Sequence, residues 1–401
     1  MEESLFSPSS ESDDEEKGDY VALERKMKLL QNLSMENLKH VEHFIKSLDA
    51  KDTPKPTPHF VKEPLPDLSQ QSITPPKILS LGLSYVGFSI RRQASVREEL
   101  NNRRFISFYG APPQALAPLF RDVRDMFRQE RPTCEDLFMT CNWLKCYDVM
   151  HVLEGRWGYC EDYMRPRIIR CQQMMQALRR QKMKFVQSAT LITASLDTVT
   201  FTVQEFRNDP GSKWYDPKSK SAGLVSNVYL IFLRNARDDF ISSFHFLMFL
   251  FQKKYEFCVC TDEPGKQVWL RGPFPPGEFP DITIFRGGDE KTAMKDRDKC
   301  ALYFEMPQDK KFAADSAYAG EYDRIVLTMP EMKKEEIKWL NRLKARGETL
   351  HGRLKSFRVL GTRFRHGTGT EDKMNRHQMA TESVCLIVLY DCENGRPLFD
   401  Q

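Results

Sequence analysis

Ala189-Thr-Leu-Ile-Thr-Ala-Ser-Leu-Asp197-Thr-Val-Thr-Phe-Thr-Val203 decides how this chain is read. Residues 189–196 are almost continuously apolar, and beyond them Val199, Phe201 and Val203 alternate with Thr198, Thr200 and Thr202. A period of two is a strand with one face buried. Before this stretch the spacing is helical. Apolar residues fall three and four apart in 115–127, 134–150 and 161–181, within a mostly helical block at 98–184. After it, further strands are expected at 255–260 and 267–271, joined by a turn at 262–265, and at 312–314. Two helices, 331–357 and 374–393, close the chain. The expectation is an α/β domain, a mixed sheet flanked by helices, preceded by a helical domain.

The 401 residues carry a net charge of +4 that conceals an asymmetry. Eight acids and a single lysine give residues 1–20 a charge of −7, which leaves +11 on the rest. A basic body suits a polyanionic partner, because lysine and arginine displace counterions from phosphates; a solvated surface is the plainer alternative. The Ser- and acid-rich residues 1–20 read as disordered, 21–48 as an amphipathic helix, and 52–76, with seven prolines, as an extended linker. The expected divisions are 1–80 for these segments, 81–186 for the helical domain and 187–401 for the α/β domain.

Ten cysteines show no Cys-x-x-Cys and no zinc-like spacing with histidine. The opening Met-Glu-Glu-Ser lacks the basic and apolar regions of a signal peptide, so free thiols in cytosol or nucleus are expected. Cys258 and Cys260 share one face of a strand and read as core. Residues 225–252 are far more apolar and aromatic than their neighbours, but Arg234, Arg237, Asp238 and Asp239 break them into pieces too short to span a membrane. Their ends can be encoded by splice-site-like sequence. The segment therefore reads as an in-frame retained intron or a genuine insertion, and transcripts spliced without it would decide.

The last of the three helices, 161–181, is followed by further bases and carries Arg165, Arg167 and Arg170. Three helices ending in a basic one fit a helix-turn-helix module in a major groove, although the spacing alone favours an ordinary bundle with a charged outer face. Three acids have a more specific setting. Asp197 and Asp315 stand at strand ends, and Glu348 lies in the helix 334–357 beside Arg346, Arg353 and Lys355. Phosphodiester chemistry uses two divalent cations about 4 Å apart, held by a few carboxylates. Two strand-end aspartates and one helical glutamate can supply those ligands, while the three bases hold phosphate. Singly, each acid has an ordinary use: a turn for Asp197, a helix N-cap for Asp315, a surface carboxylate for Glu348. His351, one turn from Glu348, reads as a phosphate contact or an exposed histidine. His366 is a weaker candidate.

The sequence around these acids resembles transposases of the PIF/Harbinger type, in the DDE superfamily of nucleases. The likeness covers about 98–401 apart from 225–252. It rests on Leu196-Asp197-Thr, Lys213-Trp-Tyr-Asp-Pro-Lys-Ser-Lys220, Gly272-Pro-Phe-Pro-Pro-Gly277 followed by Asp281-Ile-Thr-Ile-Phe-Arg286, and Ala314-Asp315-Ser-Ala-Tyr318. It continues in Glu348-Thr-Leu-His-Gly352-Arg-Leu-Lys-Ser-Phe357, Arg363-Phe-Arg-His366 and Glu393-Asn-Gly-Arg-Pro-Leu-Phe399. In the helical block, Asn142-Trp-Leu-Lys145 and His151-Val-Leu-Glu-Gly-Arg-Trp157 look like the family's DNA-binding region.

The resemblance implies an RNase H-like catalytic domain behind a helix-turn-helix-like one. It implies Asp197, Asp315 and Glu348 as a catalytic triad holding Mg²⁺ or Mn²⁺, two ions, and cutting and joining of DNA at transposon ends. It further implies oligomers on DNA, a separate Myb-like partner protein, a nuclear location and no membrane. Asp281 recurs in the motif without an implied metal role. Two departures stand out. The family's usual Asp-Gly-Thr is here Asp197-Thr-Val-Thr, and Gly347 weakens its helix by about 1 kcal/mol relative to alanine. With the insertion, they make a catalytically inactive, transposase-derived DNA-binding or protein-interaction factor the alternative.

Overall fold

Strand β1 (Ile192–Thr202) is the middle of a five-stranded mixed sheet in the computed structural model. The structure describes residues 67–130, 132–185, 190–203, 252–261, 266–276 and 278–398. The chain divides into two compact units, Met1–Val61 and Lys62–Gln401, and every described residue belongs to the second. The acidic tail, the expected helix at 21–48, the turn at 262–265, the Lys213–Lys220 motif and residues 225–251 lie outside the described residues.

β1 pairs antiparallel with β2 (Gln252–Cys260), which pairs antiparallel with β3 (Gln267–Phe274). On its other side β1 runs parallel to β4 (Lys311–Ala313), and β4 parallel to β5 (Ile325–Val326). The order across the sheet is β3-β2-β1-β4-β5. The alternation of β1 is realised as two differently covered faces. Val199, Phe201 and Val203, with Tyr255, Phe257 and Val259 of β2, join the large core shared with the helices. Ala194, Leu196, Cys258 and Cys260 join a smaller core on the opposite face, as expected for the two cysteines. All ten cysteines are free thiols.

The helical block comprises α1 (Pro75–Tyr85), α2 (Ile90–Ala94), α3 (Glu98–Tyr109), α4 (Pro113–Met126), α5 (Cys134–Cys146), α6 (Met150–Trp157) and α7 (Glu161–Lys182). Pro75 and Pro76, read above as linker, instead open α1. A proline costs nothing in the first turn, where the amide has no helical acceptor in any case. α4 buries Leu116, Leu119, Phe120 and Val123, a helical stripe. α5 starts in a capping box, in which the Thr133 hydroxyl accepts from the Asp136 amide and the Asp136 carboxylate from the Thr133 amide.

Short helices α8 (Asp281–Arg286) and α9 (Leu302–Glu305) cover the smaller core. Then come α10 (Lys334–Lys355), α11 (Arg358–Gly361) and α12 (Thr370–Glu393). Residues 380–392 of α12 are all buried, because α4, α7 and β3 pack around it. One core runs across the change from helix to strand near residue 186, so the helical block and the sheet support each other.

The motifs behind the resemblance are largely the seams of this packing. The Asn142 carboxamide oxygen accepts from Arg156 Nη1 (2.9 Å) and Trp157 Nε1 (3.2 Å), tying its two helical-block motifs together. Lys145 donates to the Ser356 carbonyl (2.7 Å) and lies over the Phe357 ring. Tyr147 stacks on Phe364, and its hydroxyl accepts from the Arg365 amide. His366 packs edge-on against Trp143 and Tyr147, where burial and then neighbouring arginines hold it uncharged, near a pKa of about 4. No helix of the described residues is long and apolar enough to cross a membrane.

Candidate metal centre

Asp197 projects from the face of β1 that carries Val199 and Phe201, toward α10. The parallel register with β4 pairs Ser195 with Ala313. Two residues further along stand Asp315, just past the end of β4 as expected, and Asp197, which lies in the middle of β1 rather than at its end because the Val/Phe–Thr alternation carries the strand on to Thr202. α10 lies across this end of the sheet through Leu340 and Leu343 against Ala313, and through Leu350 and Leu354 in the large core. Gly347 makes that approach close. A Cβ built on it would stand 3.4 Å from Asp197 Oδ2 and 3.8 Å from Ser195 Oγ. The glycine that weakens the isolated helix therefore leaves the Asp197 carboxylate its space. Gly347→Ala is expected to fold with an undiminished melting temperature, because helix propensity improves by about 1 kcal/mol and the methyl just fits. Gly347→Val, whose extra methyls meet Asp197 and Ser195, is expected to melt lower, as a thermal unfolding series would show.

This packing brings Asp197, Glu348 and His351 together, with one ligand atom of each within 4.8 Å of the others. It is the one such group of three or more metal-binding side chains among the described residues. His351 Nδ1 lies 3.8 Å from Asp197 Oδ2 and 3.9 Å from Glu348 Oε2, beyond hydrogen-bond distance from either. The imidazole is buried, 6% exposed, with its ring edge-on to Phe257. Burial first, and the charge of Lys355 second, hold its pKa down near 4, so the ring is neutral at physiological pH with a lone pair to offer. Its Nε2 is buried without a hydrogen-bond partner. The sequence offered a phosphate contact or an exposed histidine. Helical spacing does suggest the buried position, since His351 follows Gly347 by four residues on one side of α10.

Asp197 is the perturbed carboxyl of the group. Burial first, and then the charges of Glu348, Asp315 and Asp281, lift its pKa to about 7 against the opposing pull of the Thr198 amide, which donates at 2.7 Å. Glu348 is exposed at the rim of the cluster. Asp315 is also exposed and stands outside the tight group. Its Oδ1 accepts the Ala317 amide (2.9 Å), capping the 3₁₀ turn Ser316–Tyr318. Its charge nonetheless reaches Asp197. Asp281 belongs to the other face of β1, where it accepts from Thr198 Oγ1 (3.0 Å) and pairs with Lys254 (2.5 Å).

The bases expected at DNA divide by their partners. Arg353 is committed internally: it donates to the carbonyls of Arg396 and Pro397 (2.7 Å for the latter) and pairs with buried Asp391. It thereby fastens the Glu348 helix to the C-terminal Asn-Gly-Arg-Pro motif. Arg346 is half-buried and donates to the Thr261 carbonyl (3.0 Å). Lys355 is exposed. On α7, Arg165 pairs with Glu161, Arg167 pairs with Asp136 (2.7 Å) and stacks on Tyr163, and Arg170 donates to the Glu130 carbonyl (3.3 Å).

Two carboxylates and a neutral imidazole gathered in this way could hold a metal ion. The buried imidazole turns Nδ1 toward both carboxylates at 3.8 and 3.9 Å, a spacing that a cation between them would tighten. Compared with family models, curated proteins and solved structures, the chain matches none.

Proposed function

We propose that this protein is a divalent-metal-dependent DNA endonuclease and strand-transferase of the Harbinger-like transposase kind, with Asp197, Asp315 and Glu348 at its centre. The observation that carries the reading is the meeting of Asp197 with Glu348 beneath α10, with the Asp315 charge felt from the neighbouring strand. The topology supports it too. A sheet ordered β3-β2-β1-β4-β5 with only β2 reversed is the order expected of an RNase H-like domain, with Asp197 inside β1, Asp315 just past β4 and Glu348 on the helix after β5.

Asp197, Glu348 and Asp315 are the carboxylates that would hold Mg²⁺ or Mn²⁺, two ions in this chemistry. When bound, the cations supply the charge that activates the attacking oxygen and stabilises the departing one. Asp197, whose pKa burial raises to about 7, would have to be deprotonated to serve as a ligand. Exposed Lys355 at the C-terminal end of α10 is placed to hold substrate phosphate. DNA, a Myb-like partner protein, self-association on DNA and a nuclear location belong to the same proposal.

The test is metal-dependent nicking of supercoiled DNA carrying terminal inverted repeats. The full chain, a version lacking 225–252 and Asp315→Ala are compared. Nicking by either of the first two, lost with Asp315→Ala, is expected. Nicking that survives Asp315→Ala contradicts the site. None from either parent favours the catalytically inactive alternative.

A further inference from the structure

The carboxylates alone leave one buried group without a role. His351 sits against them, more than nine-tenths buried, with its Nε2 partnerless and its Nδ1 directed at both carboxylates. A ligand on Nδ1 leaves Nε2 as it is; what asks for an explanation is Nδ1, turned toward two carboxylates that it does not hydrogen-bond. A histidine serving only as core filler gains nothing here that an apolar side chain would not give. Nor does it act as the carboxylates' hydrogen-bond donor, because 3.8 and 3.9 Å are too long.

Those separations are explained by a cation standing between the three groups. Ligand atoms around a six-coordinate ion of bond length 2.0–2.1 Å stand about 3 Å apart. Closing the two histidine gaps requires approaches of about 1 Å, by side-chain rotation of exposed Glu348 on one side and of the partly exposed Asp197 carboxylate on the other. Phe257 fixes the imidazole plane from the β2 side, and the α10 backbone fixes its root. The nitrogen is thus held by the fold, and the carboxylates are the adjustable ligands.

We propose that His351 is a direct metal ligand through Nδ1, and that this nitrogen makes the Asp197–Glu348–His351 site select Mn²⁺ over Mg²⁺. The inference deepens the metal-site reading above and rests on it. Mg²⁺ prefers all-oxygen surroundings and holds its waters, whereas imidazole suits transition ions. Asp315, outside the tight group, is left to an oxygen-only position nearby.

The test uses the full-length protein without DNA. Mn²⁺ binding is followed by electron paramagnetic resonance, ligand nitrogen by electron spin echo modulation, and Mg²⁺ by competition. Wild type is expected to bind Mn²⁺ at least about tenfold more tightly than Mg²⁺ and to show directly coordinated ¹⁴N. His351→Ala is expected to lose the nitrogen signal and about 10–100-fold in Mn²⁺ affinity, a range typical of perturbed metal sites. Its Mg²⁺ affinity should change by less than about threefold. His351→Gln repeats the comparison with a polar side chain, and thermal melts confirm that each variant folds. Bound Mn²⁺ that is lost with Asp197→Asn but never shows nitrogen coupling overturns the histidine ligand and leaves the metal site standing. Absence of bound Mn²⁺ from the folded wild type overturns both.

Discussion

Asp197→Asn is expected to abolish metal-dependent nicking and, at pH 8 without divalent ions, to raise the stability of the protein. The two effects share one cause. In the fold the Asp197 carboxyl has its pKa lifted to about 7 by burial and then by neighbouring acids, against an ordinary value near 3.9 in the unfolded chain. Between those values the folded state binds more protons than the unfolded state. The group's relative stability is therefore full at acid pH and declines as pH rises from about 4 to 7. Asparagine never ionises, so the variant escapes that decline. The gain is on the order of 2 kcal/mol at pH 8, after allowance for the carboxylate's partial exposure to water, and vanishes near pH 4.

Millimolar Mn²⁺ should reverse the order, because binding to the native state stabilises the wild type alone. Loss of metal-mediated charge stabilisation, several kcal/mol in the transition state, lowers nicking by about a thousandfold or more. Urea unfolding at pH 5 and pH 8, with and without Mn²⁺, reads the first effect and plasmid nicking the second. A variant less stable than wild type at pH 8 contradicts the electrostatic account of the site.

The second large effect is structural. Phe357→Ala is expected to destabilise the protein by about 3–5 kcal/mol, the usual range for deleting a buried phenylalanine. The ring is 1% exposed, lies in the core common to the helical block and the sheet, and has Lys145 above it. It also lies against Gly110, where a Cβ would come within 2.3 Å of the ring. Gly110 has φ +85°, so Gly110→Ala meets both a left-handed backbone and a clash and is destabilising on its own. In the Phe357→Ala background the clash is gone and the remaining cost is smaller. A double-mutant cycle measured by urea unfolding should show coupling of about 1 kcal/mol or more. Additive losses would mean that the helical block does not close on Phe357.

β1 was legible because its apolar face and its threonines alternate over a long run, and nothing in the fold competes with that period. α4, α7, α10 and α12 were legible for the corresponding helical reason. β5 was not, since Ile325-Val326 is too short to show a period and is a strand only because β4 pairs with it. The prolines at 75 and 76 pointed to linker because composition does not say whether a proline lies inside or just at the start of a helix.

At the site, the carboxylates were visible through the residues flanking them, but their surroundings were not. Gly347 looked like a defect in a helix until β1 was beside it. Arg353 looked like a phosphate contact, while its guanidinium in fact closes on Asp391 and the C-terminal carbonyls. His351 became informative only through burial and missing partners, which are properties of the fold.

The central claim is that Asp197, Asp315 and Glu348 surround one metal centre. Loading the protein with Fe²⁺ and adding ascorbate and peroxide cuts the backbone near the bound ion, independently of any DNA substrate. Scission is expected in three segments, around 195–199, 313–317 and 346–351, and all three should disappear in Asp197→Asn. Cuts confined to one segment, or placed elsewhere and unchanged by Asp197→Asn, would contradict the account.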